Sequence, residues 1–343
     1  TKYTDSNNKT VKYGYDQLGN MVSLTYPGGE IVTYTYRDDG SIATMTSKSG
    51  GTIYTWGYSY DRYGRLKELT RPDGSGETRT YNDAGQLTTQ VDKNKAGGIL
   101  QEISYTYNVF GEVVQKDTSY QGDLSTLESV KMSYDDANRL VSYNGQEVTY
   151  DAKGNMTHGP VDGVMQDLTY DCRNRLVSAG GITYTYDAEN NRTATTENGK
   201  TTVYVHDVSG SLSKLLIAYE ADGSETSYYY GAEGLAGQYN TATKESFYYH
   251  YDNIGSTTCV TNAIGVIVEQ IAYGTYGELL TTVKNNIRFL YNGAYGVATD
   301  SNGLYYMRAR YYNPDIKRFI NQDIKVGDIS NGQGLNRYAY CEG

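Results

Sequence analysis

The sequence predicts an all-β fold, and three observations carry that prediction. Tyrosine and glycine each occur 39 times in 343 residues, against four phenylalanines, one tryptophan and four prolines. A short motif that begins with Tyr-Asp or Tyr-Asn recurs along most of the chain. The residues ahead of it alternate between apolar or aromatic and small polar side chains. This period-two alternation is typical of a strand with one buried face, and tyrosine can bury its ring while its hydroxyl stays hydrated.

The recurring motif has a tyrosine, then Asp or Asn, two variable residues, Gly or Asn, a polar residue and an aliphatic one. Its copies contain Tyr15, Asp16 and Gly19; Tyr60, Asp61 and Gly64; Tyr81 and Asn82; Tyr107 and Asn108; Tyr134 and Asp135; Tyr150, Asp151 and Gly154; Tyr170 and Asp171; Tyr186 and Asp187; and Tyr251, Asp252 and Gly255. From Tyr15 to Tyr186, successive tyrosines lie 16 to 27 residues apart when a degenerate copy at Tyr36 is included. This irregular spacing favours strands of variable length joined by a fixed turn over a solenoid with rungs of constant length.

Each copy predicts a β-hairpin. In residues 103–107, for example, Ile and Tyr lie on one face and Ser and Thr on the other. The Asp or Asn can accept a hydrogen bond from the backbone two residues on, and Gly or Asn supplies the left-handed position of the turn. A single hairpin cannot bury its apolar face, so the units must stack in one antiparallel strip. We expect the Asp residues to be turn residues rather than general acids, and the rings of Tyr107, Tyr134 and Tyr186 to pack against the equivalent residues of neighbouring strands.

Composition and charge exclude several classes of protein. No apolar run approaches the roughly 18 residues of a transmembrane helix. A net charge of −10 and a pI near 4.9 leave no basic footprint for nucleic acid. Cys172, Cys259 and Cys341 lie far apart without a CxxC motif, so we predict neither a disulfide framework nor a zinc site. We therefore expect no metal, no cofactor, no nucleic-acid partner and no membrane span. The first residue is Thr1 and no signal segment follows, so we interpret the chain as an excerpt from a longer protein.

Motifs of common enzymes are missing as well. The sequence has no HExxH, no GxSxG nucleophile elbow and no P-loop. His158, His206 and His250 are scattered and are interpreted as turn or packing residues. Residues 92–97 begin like a calcium loop, but Ile103 stands where the bidentate glutamate would be. We predict that this excerpt is not an enzyme.

The repeats resemble the YD repeats of the Rhs family. That family includes bacterial Rhs polymorphic toxins, wall-associated toxin proteins, the C component of ABC insecticidal toxin complexes and animal teneurins. The C-terminal residues make the resemblance specific, because residues 303–314 read GLYYMRARYYNP and are similar to the Rhs-associated core signature GLYYLRARYYDP. Residues 318–323 continue it as the family's RFxSxDP segment, and residues 334–340 match its GLNxYxY stretch.

The resemblance implies a container with a cleavage site. In related proteins the YD hairpins form one long β-strip that spirals into a hollow shell, and the core winds inward as a plug ahead of a variable effector. The family core also cuts the chain just beyond itself, with two aspartates acting in the manner of an aspartic protease and an arginine nearby. Motif by motif, the arginine falls on Arg310 and the first aspartate on Asp323, whereas the second belongs to a DPxGL segment that this sequence does not include. A structural ion pair in the plug is the alternative for these two residues.

Three positions depart from the family pattern. Asn313 stands where the family has Asp, Lys317 where it has Gly and Ile324 where it has Pro. Loss of Gly and Pro suggests a locally altered turn beside Asp323.

We divide the chain into regular repeats (1–205), degenerate repeats (206–290) and the Rhs-associated core (291–343). The predicted function is a container that encapsulates and presents a C-terminal toxin, with self-cleavage at the core in the full-length protein. The expected partners are that effector, the remaining N-terminal shell repeats and a secretion or delivery machinery, and the expected location is secreted or at the bacterial cell surface. The alternative is a surface adhesin that binds glycans through exposed tyrosines. Tyrosine rings packed inside the strip would favour the container, whereas rings along a solvent-facing groove would favour the adhesin.

Overall fold

The computed structural model describes residues 1–49, 51–120, 122–325 and 335–340. Within these residues the chain is built of antiparallel β-strands in five sheets, with one short 3-10 helix at Gly293–Tyr295 and no α-helix. In every sheet, neighbouring strands are also consecutive in sequence. The predicted all-β class and the antiparallel strip of hairpins are therefore confirmed.

Two long meanders account for most of the chain. The first sheet contains β1 (Lys2–Thr4), β2 (Thr10–Tyr15), β3 (Met21–Thr25), β4 (Ile31–Tyr36), β5 (Ile42–Ser49), β6 (Thr52–Tyr60), β7 (Leu66–Thr70), β8 (Gly76–Tyr81), β9 (Leu87–Lys93), β10 (Ile99–Tyr107) and β11 (Val113–Thr118). Two small sheets follow, made of β12 (Met132–Tyr134), β13 (Leu140–Tyr143) and β14 (Gln146–Glu147), and of β15 (Thr149–Tyr150), β16 (Met156–Val161) and β17 (Val164–Asp167).

The second sheet contains β18 (Thr169–Tyr170), β19 (Leu176–Ala179), β20 (Ile182–Tyr186), β21 (Arg192–Glu197), β22 (Lys200–Asp207), β23 (Lys214–Tyr219), β24 (Glu225–Gly231), β25 (Gly234–Asn240), β26 (Ser246–Tyr251), β27 (Thr257–Asn262) and β28 (Ile267–Gln270). The core sheet contains β29 (Ala298–Thr299), β30 (Tyr305–Met307), β31 (Arg310–Asn313) and β32 (Arg318–Phe319).

The Tyr-Asp motif forms the predicted turn. Asp16 Oδ1 accepts hydrogen bonds from the backbone N–H groups of Leu18 (2.9 Å) and Asn20 (2.8 Å). The Asn20 side-chain amide, together with these backbone donors, lowers the pKa of Asp16. Gly19 then takes the left-handed conformation at φ 87°. Where the motif has Asn instead of Gly, the asparagine adopts the same conformation, at Asn138, Asn174 and Asn190. The aspartates are therefore turn residues, as the sequence indicates.

In several copies an arginine side chain stabilises the turn by donating to the motif aspartate. Arg65, Arg139 and Arg175 each donate to the aspartate four positions earlier, with Nε to Oδ2 distances of 2.7 Å in all three. Burial alone would raise the pKa of Asp171, but the hydrogen bonds from Arg175 lower it. This explains why a polar, often basic residue follows Gly or Asn in the motif.

The motif tyrosine pairs across the hairpin with the aliphatic residue six positions later. Tyr60 faces Leu66 and Tyr107 faces Val113, and in both hairpins the register shifts just before the tyrosine because of a β-bulge. A bulge increases the local twist. The conserved geometry of the motif is thus a bulge followed by a five-residue turn.

The tyrosine hydroxyls join successive repeats. Five motif tyrosines donate to the backbone carbonyl of the aliphatic residue in the preceding copy: Tyr36 to Met21 (2.6 Å), Tyr60 to Ile42 (2.9 Å), Tyr81 to Leu66 (2.6 Å), Tyr107 to Leu87 (2.7 Å) and Tyr186 to Leu176 (2.8 Å). Phenylalanine could not make this bond, which favours tyrosine at these positions.

These hydroxyl bonds correct the expectation for the rings of Tyr107, Tyr134 and Tyr186. Tyr107 and Tyr186 reach the neighbouring repeat through hydroxyl-to-carbonyl bonds rather than through ring-on-ring packing. Tyr134 is 43% exposed and its ring lies under the Arg318 guanidinium, 4.1 Å from the centroid. The prediction was wrong because it treated the ring, and not the hydroxyl, as the group that contacts the next repeat.

The two long sheets pack face to face. Trp56 of the first sheet lies between Tyr229 and Tyr248 of the second, with ring centroids 5.9 and 5.8 Å apart. Tyr26 donates its hydroxyl to the carbonyl of Tyr228 at 2.5 Å. Half of the twelve largest fully buried side chains are tyrosines, from this interface and from the C-terminal core segment. The tyrosine faces therefore form the hydrophobic core.

A buried cluster of charges also joins the sheets. Arg71 contacts Glu77 at 2.7 Å and Asp92 at 2.9 Å, with all three side chains at most 1% exposed. Asp92 also lies 2.7 Å from Nδ1 of His250 in the second sheet. Burial alone would raise the pKa of Asp92, but His250 and Arg71 lower it well below its usual range. The Asp92 carboxylate is thus used to connect the two sheets.

Candidate functional site

The core segment packs on the small sheets that lie between the two long meanders. Asn313 donates its side-chain amide to the carbonyl of Pro160 at 2.8 Å, and Met156 donates its backbone N–H to the carbonyl of Ile320 at 3.0 Å. Asn155 and Asn321 form an antiparallel bridge. At Gly154, a Cβ atom would come within 2.5 Å of the Gln322 side chain and 2.8 Å of the Tyr338 hydroxyl, so this repeat turn must be glycine for the core to dock.

The signature tyrosines divide between the two faces of the core sheet. Tyr305 pairs with Tyr312 and Tyr306 with Tyr311 across β30 and β31. One face holds an aromatic cluster whose rings are 5.1 to 6.4 Å apart, made of Tyr291, Tyr305, Tyr312, Phe319, Tyr340 and, at its border, Tyr273. The other face directs Tyr306 and Tyr311 toward the second sheet. Each Tyr-Tyr pair of the signature therefore contributes one ring to the aromatic cluster and one ring to the packing against the second sheet.

Two of the three departures from the family signature keep their turns. Asn313 Oδ1 accepts the backbone N–H of Asp315 at 2.9 Å, as an aspartate would. Lys317, where the family has glycine, adopts φ 60° and donates its N–H to the carbonyl of Pro314 at 3.2 Å. A non-glycine residue pays about 1–2 kcal/mol for this conformation. Lys317 therefore adds an energetic cost to this turn that glycine would not have.

Arg310 and Asp323 come together. Arg310 Nη2 lies 2.8 Å from Asp323 Oδ2, and the guanidinium stacks 3.6 Å from the centroid of the Phe319 ring. Burial lowers the pKa of Arg310, and the Asp323 carboxylate opposes that shift. The side chain of Asp323 is 35% exposed.

The segment around Arg337 holds this pair in place. Arg337 donates two hydrogen bonds to the carbonyl of Asp323 and accepts, through its own carbonyl, the Asp323 N–H at 2.8 Å. That same Arg337 carbonyl accepts a bond from Arg310 Nη1 at 3.1 Å. Asp323 is thus a partly exposed carboxylate held beside the Arg310 guanidinium, and the Arg337 backbone bonds to both residues.

The pair faces a cleft of about 1230 Å³ between the repeats and the core. One wall is formed by the turns at residues 153–155, 173–176 and 189–191, and the other by residues 307–311 and 319–325. Residues 326–334 and 341–343, with Cys341 and the first residue of the GLNxYxY stretch, lie outside the described residues.

Sequence reasoning missed a second ion pair, between Arg192 and Asp300. Arg192 occupies the aliphatic position of the Tyr186 copy, and this break in the pattern is the signal that could have found it. Its guanidinium lies 2.6 Å from Asp300 and 4.2 Å from the centroid of Tyr306. The group is buried between the last regular repeat and the core.

The described residues offer neither a metal-binding cluster nor a helix that could cross a membrane. They contain no group of three or more His, Cys, Asp or Glu side chains arranged to hold a metal ion. In the same ranges, no helix has the length and apolar character that crossing a membrane requires.

Comparisons with known proteins agree with this fold. The Teneurin YD-shell family model matches residues 75–342, and the RHS Repeat model matches residues 1–31. The tRNA nuclease WapA of Bacillus subtilis (strain 168) is 30% identical over 250 residues, which cover 69% of this chain and 10% of that protein. The Double-stranded DNA deaminase toxin A of Burkholderia cenocepacia (strain H111) is 32% identical over 119 residues, covering 32% of this chain and 8% of that protein. This chain therefore spans about a tenth of the length of the curated relatives it matches.

Solved structures share the fold at low sequence identity. The crystal structure of TcdB2-TccC3 has a TM-score of 0.72 at 16% identity and covers 97% of this chain and 21% of that chain. The Photorhabdus luminescens Tc holotoxin pore gives a TM-score of 0.71 at 14% identity, covering 98% of this chain and 21% of that chain. The YD turns, the core signature and the family match over most of the sequence lead to one conclusion. This chain belongs to the teneurin YD-shell family.

Proposed function

We propose that this chain is part of a YD shell that encloses a toxin or effector domain located after the core, and that Arg310 and Asp323 take part in a single cut that frees it. The supporting observation is the Arg310–Asp323 pair, 2.8 Å apart and facing a cleft at the end of the core segment. Residues 291–343 would act as the plug. The second sheet runs through residues 205 and 206 in β22, so the regular and degenerate repeats would form one wall.

The partners in this proposal are the effector, the shell repeats that precede this chain and a secretion or delivery machinery, with the protein secreted or held at the cell surface. Toxin names among the relatives support this assignment. The packing of the tyrosines supports the container over a glycan-binding adhesin. Tyr228, Tyr248 and Tyr249 are at most 2% exposed, and they lie in the interface between the sheets rather than along a solvent-facing groove.

The proposed chemistry needs a second carboxylate. Asp323 alone can hold or accept one proton, whereas aspartic-protease chemistry requires two carboxylates that share a proton. Asp323 would act as the base toward the attacking water, and Arg310, 2.8 Å away, would position its carboxylate. The present sequence should therefore be proteolytically inert, and the chain extended through a DPxGL segment should cut itself once.

The test is to express the extended chain and look for two fragments on a denaturing gel. Asp323→Asn should abolish cutting, because the amide is nearly isosteric but cannot take up the proton, and Arg310→Ala should slow it. Asp135→Asn is a matched control, since it changes a turn aspartate that also pairs with an arginine but lies outside the cleft lining. Thermal unfolding of each variant separates loss of the cut from loss of the fold. Equal cutting by the wild type and Asp323→Asn would assign Asp323 a purely structural role.

A further inference from the structure

The cleft that Arg310 and Asp323 face is strongly cationic, although the protein as a whole is acidic. The formal net charge of the chain is −10. The cleft lining nevertheless contains seven Lys or Arg side chains and only two carboxylates, Glu189 and Asp323. A concave cationic site with protein walls focuses the electrostatic field and attracts anionic groups.

On the repeat wall, the cations are Lys153, Arg173 and Arg175. Arg175 is neutralised by Asp171 at 2.7 Å. Arg173 donates instead to the carbonyl of Ala188 at 2.8 Å, and the Lys153 ammonium lies 3.3 Å from the carbonyl of Cys172. Carbonyl oxygens orient these two cations without cancelling their charge. Both side chains are exposed at the rim of the cleft.

The core wall repeats this arrangement with Arg308 and Arg337. Arg308 is half-buried and donates to the carbonyls of Ser213 (2.8 Å) and Tyr295 (2.7 Å), while Arg337 donates to the carbonyl of Asp323. Burial lowers the pKa of Arg308. A partly buried cation that has only carbonyl partners is poorly compensated, and an anion in the cleft would compensate it.

We propose that this cleft binds an acidic, extended segment of polypeptide. Two amide side chains of the lining, Asn174 and Asn190, accept hydrogen bonds from Asn155 and Arg175 through their oxygens, which leaves their NH2 groups to donate to a peptide backbone. Each carboxylate of the segment would reach one of the cations that contact only carbonyls. The assignment of this segment to the stretch of chain that is cut beside Asp323 rests on the proposed function, but binding of the segment does not require cutting.

An acidic peptide fits better than a nucleic acid. Proteins that bind single-stranded nucleic acid use exposed aromatic rings on which the bases stack. The aromatic side chains in this lining, such as Tyr186 and Tyr311, are turned into the protein, where their hydroxyls bond each other at 2.9 Å. Outside the cleft, the acidic surface repels a long polyanion, whereas a short acidic segment lies within the cationic region.

The experiment uses the chain as described here and a fluorescent octapeptide of alternating Glu and Gly, with the Gln-for-Glu peptide as the neutral probe. Fluorescence anisotropy should show binding of the acidic peptide that weakens with added salt, and much weaker binding of the neutral one. The variant Lys153→Gln/Arg173→Gln should lose about tenfold in affinity. The control variant Arg62→Gln/Lys67→Gln removes the same charge from the first sheet, outside the cleft lining, and should bind like the wild type.

Asp323→Asn separates this inference from the proposed function. It removes a carboxylate that competes for Arg310, so the acidic peptide should bind more tightly even though cutting is abolished. Binding without any cut in the extended chain would leave this inference standing and refute self-cleavage. Equal binding of the acidic and neutral peptides, an unchanged affinity in Lys153→Gln/Arg173→Gln, or tighter binding of an eight-nucleotide oligo-dT would overturn it.

Discussion

Arg192 donates a 2.6 Å hydrogen bond to Asp300, a residue 108 positions later in the chain. Both side chains are at most 4% exposed. The arginine stands where other copies of the motif have an aliphatic side chain, so the last regular repeat exchanges an apolar contact for an ion pair with the core.

Removing one member of this pair should be costly. Arg192→Met restores an aliphatic side chain but leaves Asp300 buried without its counterion, and we expect a loss of about 3–5 kcal/mol in the free energy of unfolding. Arg192→Met/Asp300→Leu should recover most of it, because apolar replacement of a whole buried pair is often neutral. Urea unfolding of the three proteins measures both values. Equal losses in the single and double variants would contradict this prediction, because the loss would then not come from an uncompensated Asp300 carboxylate.

The hydroxyl bonds between repeats can be tested by deleting single oxygen atoms. Tyr81→Phe removes the 2.6 Å bond to the carbonyl of Leu66 and should cost about 1 kcal/mol. Tyr81→Ala should cost about 3 kcal/mol, since the ring is lost as well. Tyr63→Phe is the control, because Tyr63 is 66% exposed and should change stability by less than about 0.5 kcal/mol. If Tyr81→Phe and Tyr63→Phe unfold at the same urea concentration, the hydroxyl bonds do not stabilise the strip.

Because some turn residues adopt the left-handed conformation, alanine and glycine should have different effects on stability at these positions. Asn138 has φ 59°, so Asn138→Ala should lower stability by about 1 kcal/mol, whereas Asn138→Gly should be neutral or slightly stabilising. Gly19→Ala is a second test of strain alone, since an added Cβ would have no heavy atom within 4 Å. Thermal melts suffice for the comparison. If Asn138→Gly and Asn138→Ala lower the melting temperature equally, the asparagine side chain, and not the backbone conformation, is required.

The stability of the chain should depend on pH through His206. Burial lowers the pKa of His206 to about 4, and the nearby Arg192 and Arg308 cations add to this, against an opposing effect of Asp187. The unfolded chain binds a proton at an ordinary histidine pKa of about 6.5, so the stabilising contribution is present above that pH and is lost as pH falls toward 4. His206→Gln should flatten the stability profile in this window. The measurement is the urea midpoint at several pH values, and identical slopes for both proteins would rule out His206 as the source.

The sequence was a good guide to the local geometry. The Tyr-Asp turns depend on a side-chain oxygen, a left-handed residue and a short alternating strand, all of which lie within a few positions of one another. A turn without the motif, at residues 220–224, was missed. There the backbone makes the same two hydrogen bonds, although the sequence has no Tyr-Asp pair at the turn. The turn is a backbone structure, and Tyr-Asp is one of several ways to stabilise it.

The long-range contacts were harder to predict. The Arg310–Asp323 pair followed from a motif, because both residues lie in one signature. The Arg192–Asp300 pair and the Asp92–His250 contact join residues more than 100 positions apart, and they depend on how the strip curls back on itself. Charge within a cleft is likewise a property of the folded chain, since the cationic side chains come from repeats and core that are distant in sequence.

Within each sheet, every strand is bonded to the strand that precedes it in the sequence, so each sheet has a built-in direction of growth. Each new strand closes only a short loop, so its entropic cost is small and the sheet can lengthen as the chain is synthesised. The exception is the docking of one sheet on the other, where the bond from Tyr26 to Tyr228 spans 202 residues. Folding should therefore have a rapid zippering phase and a slow closing step. An added or missing residue in one strand would move the side chains that follow it in that strand to the opposite face, which would weaken that closure.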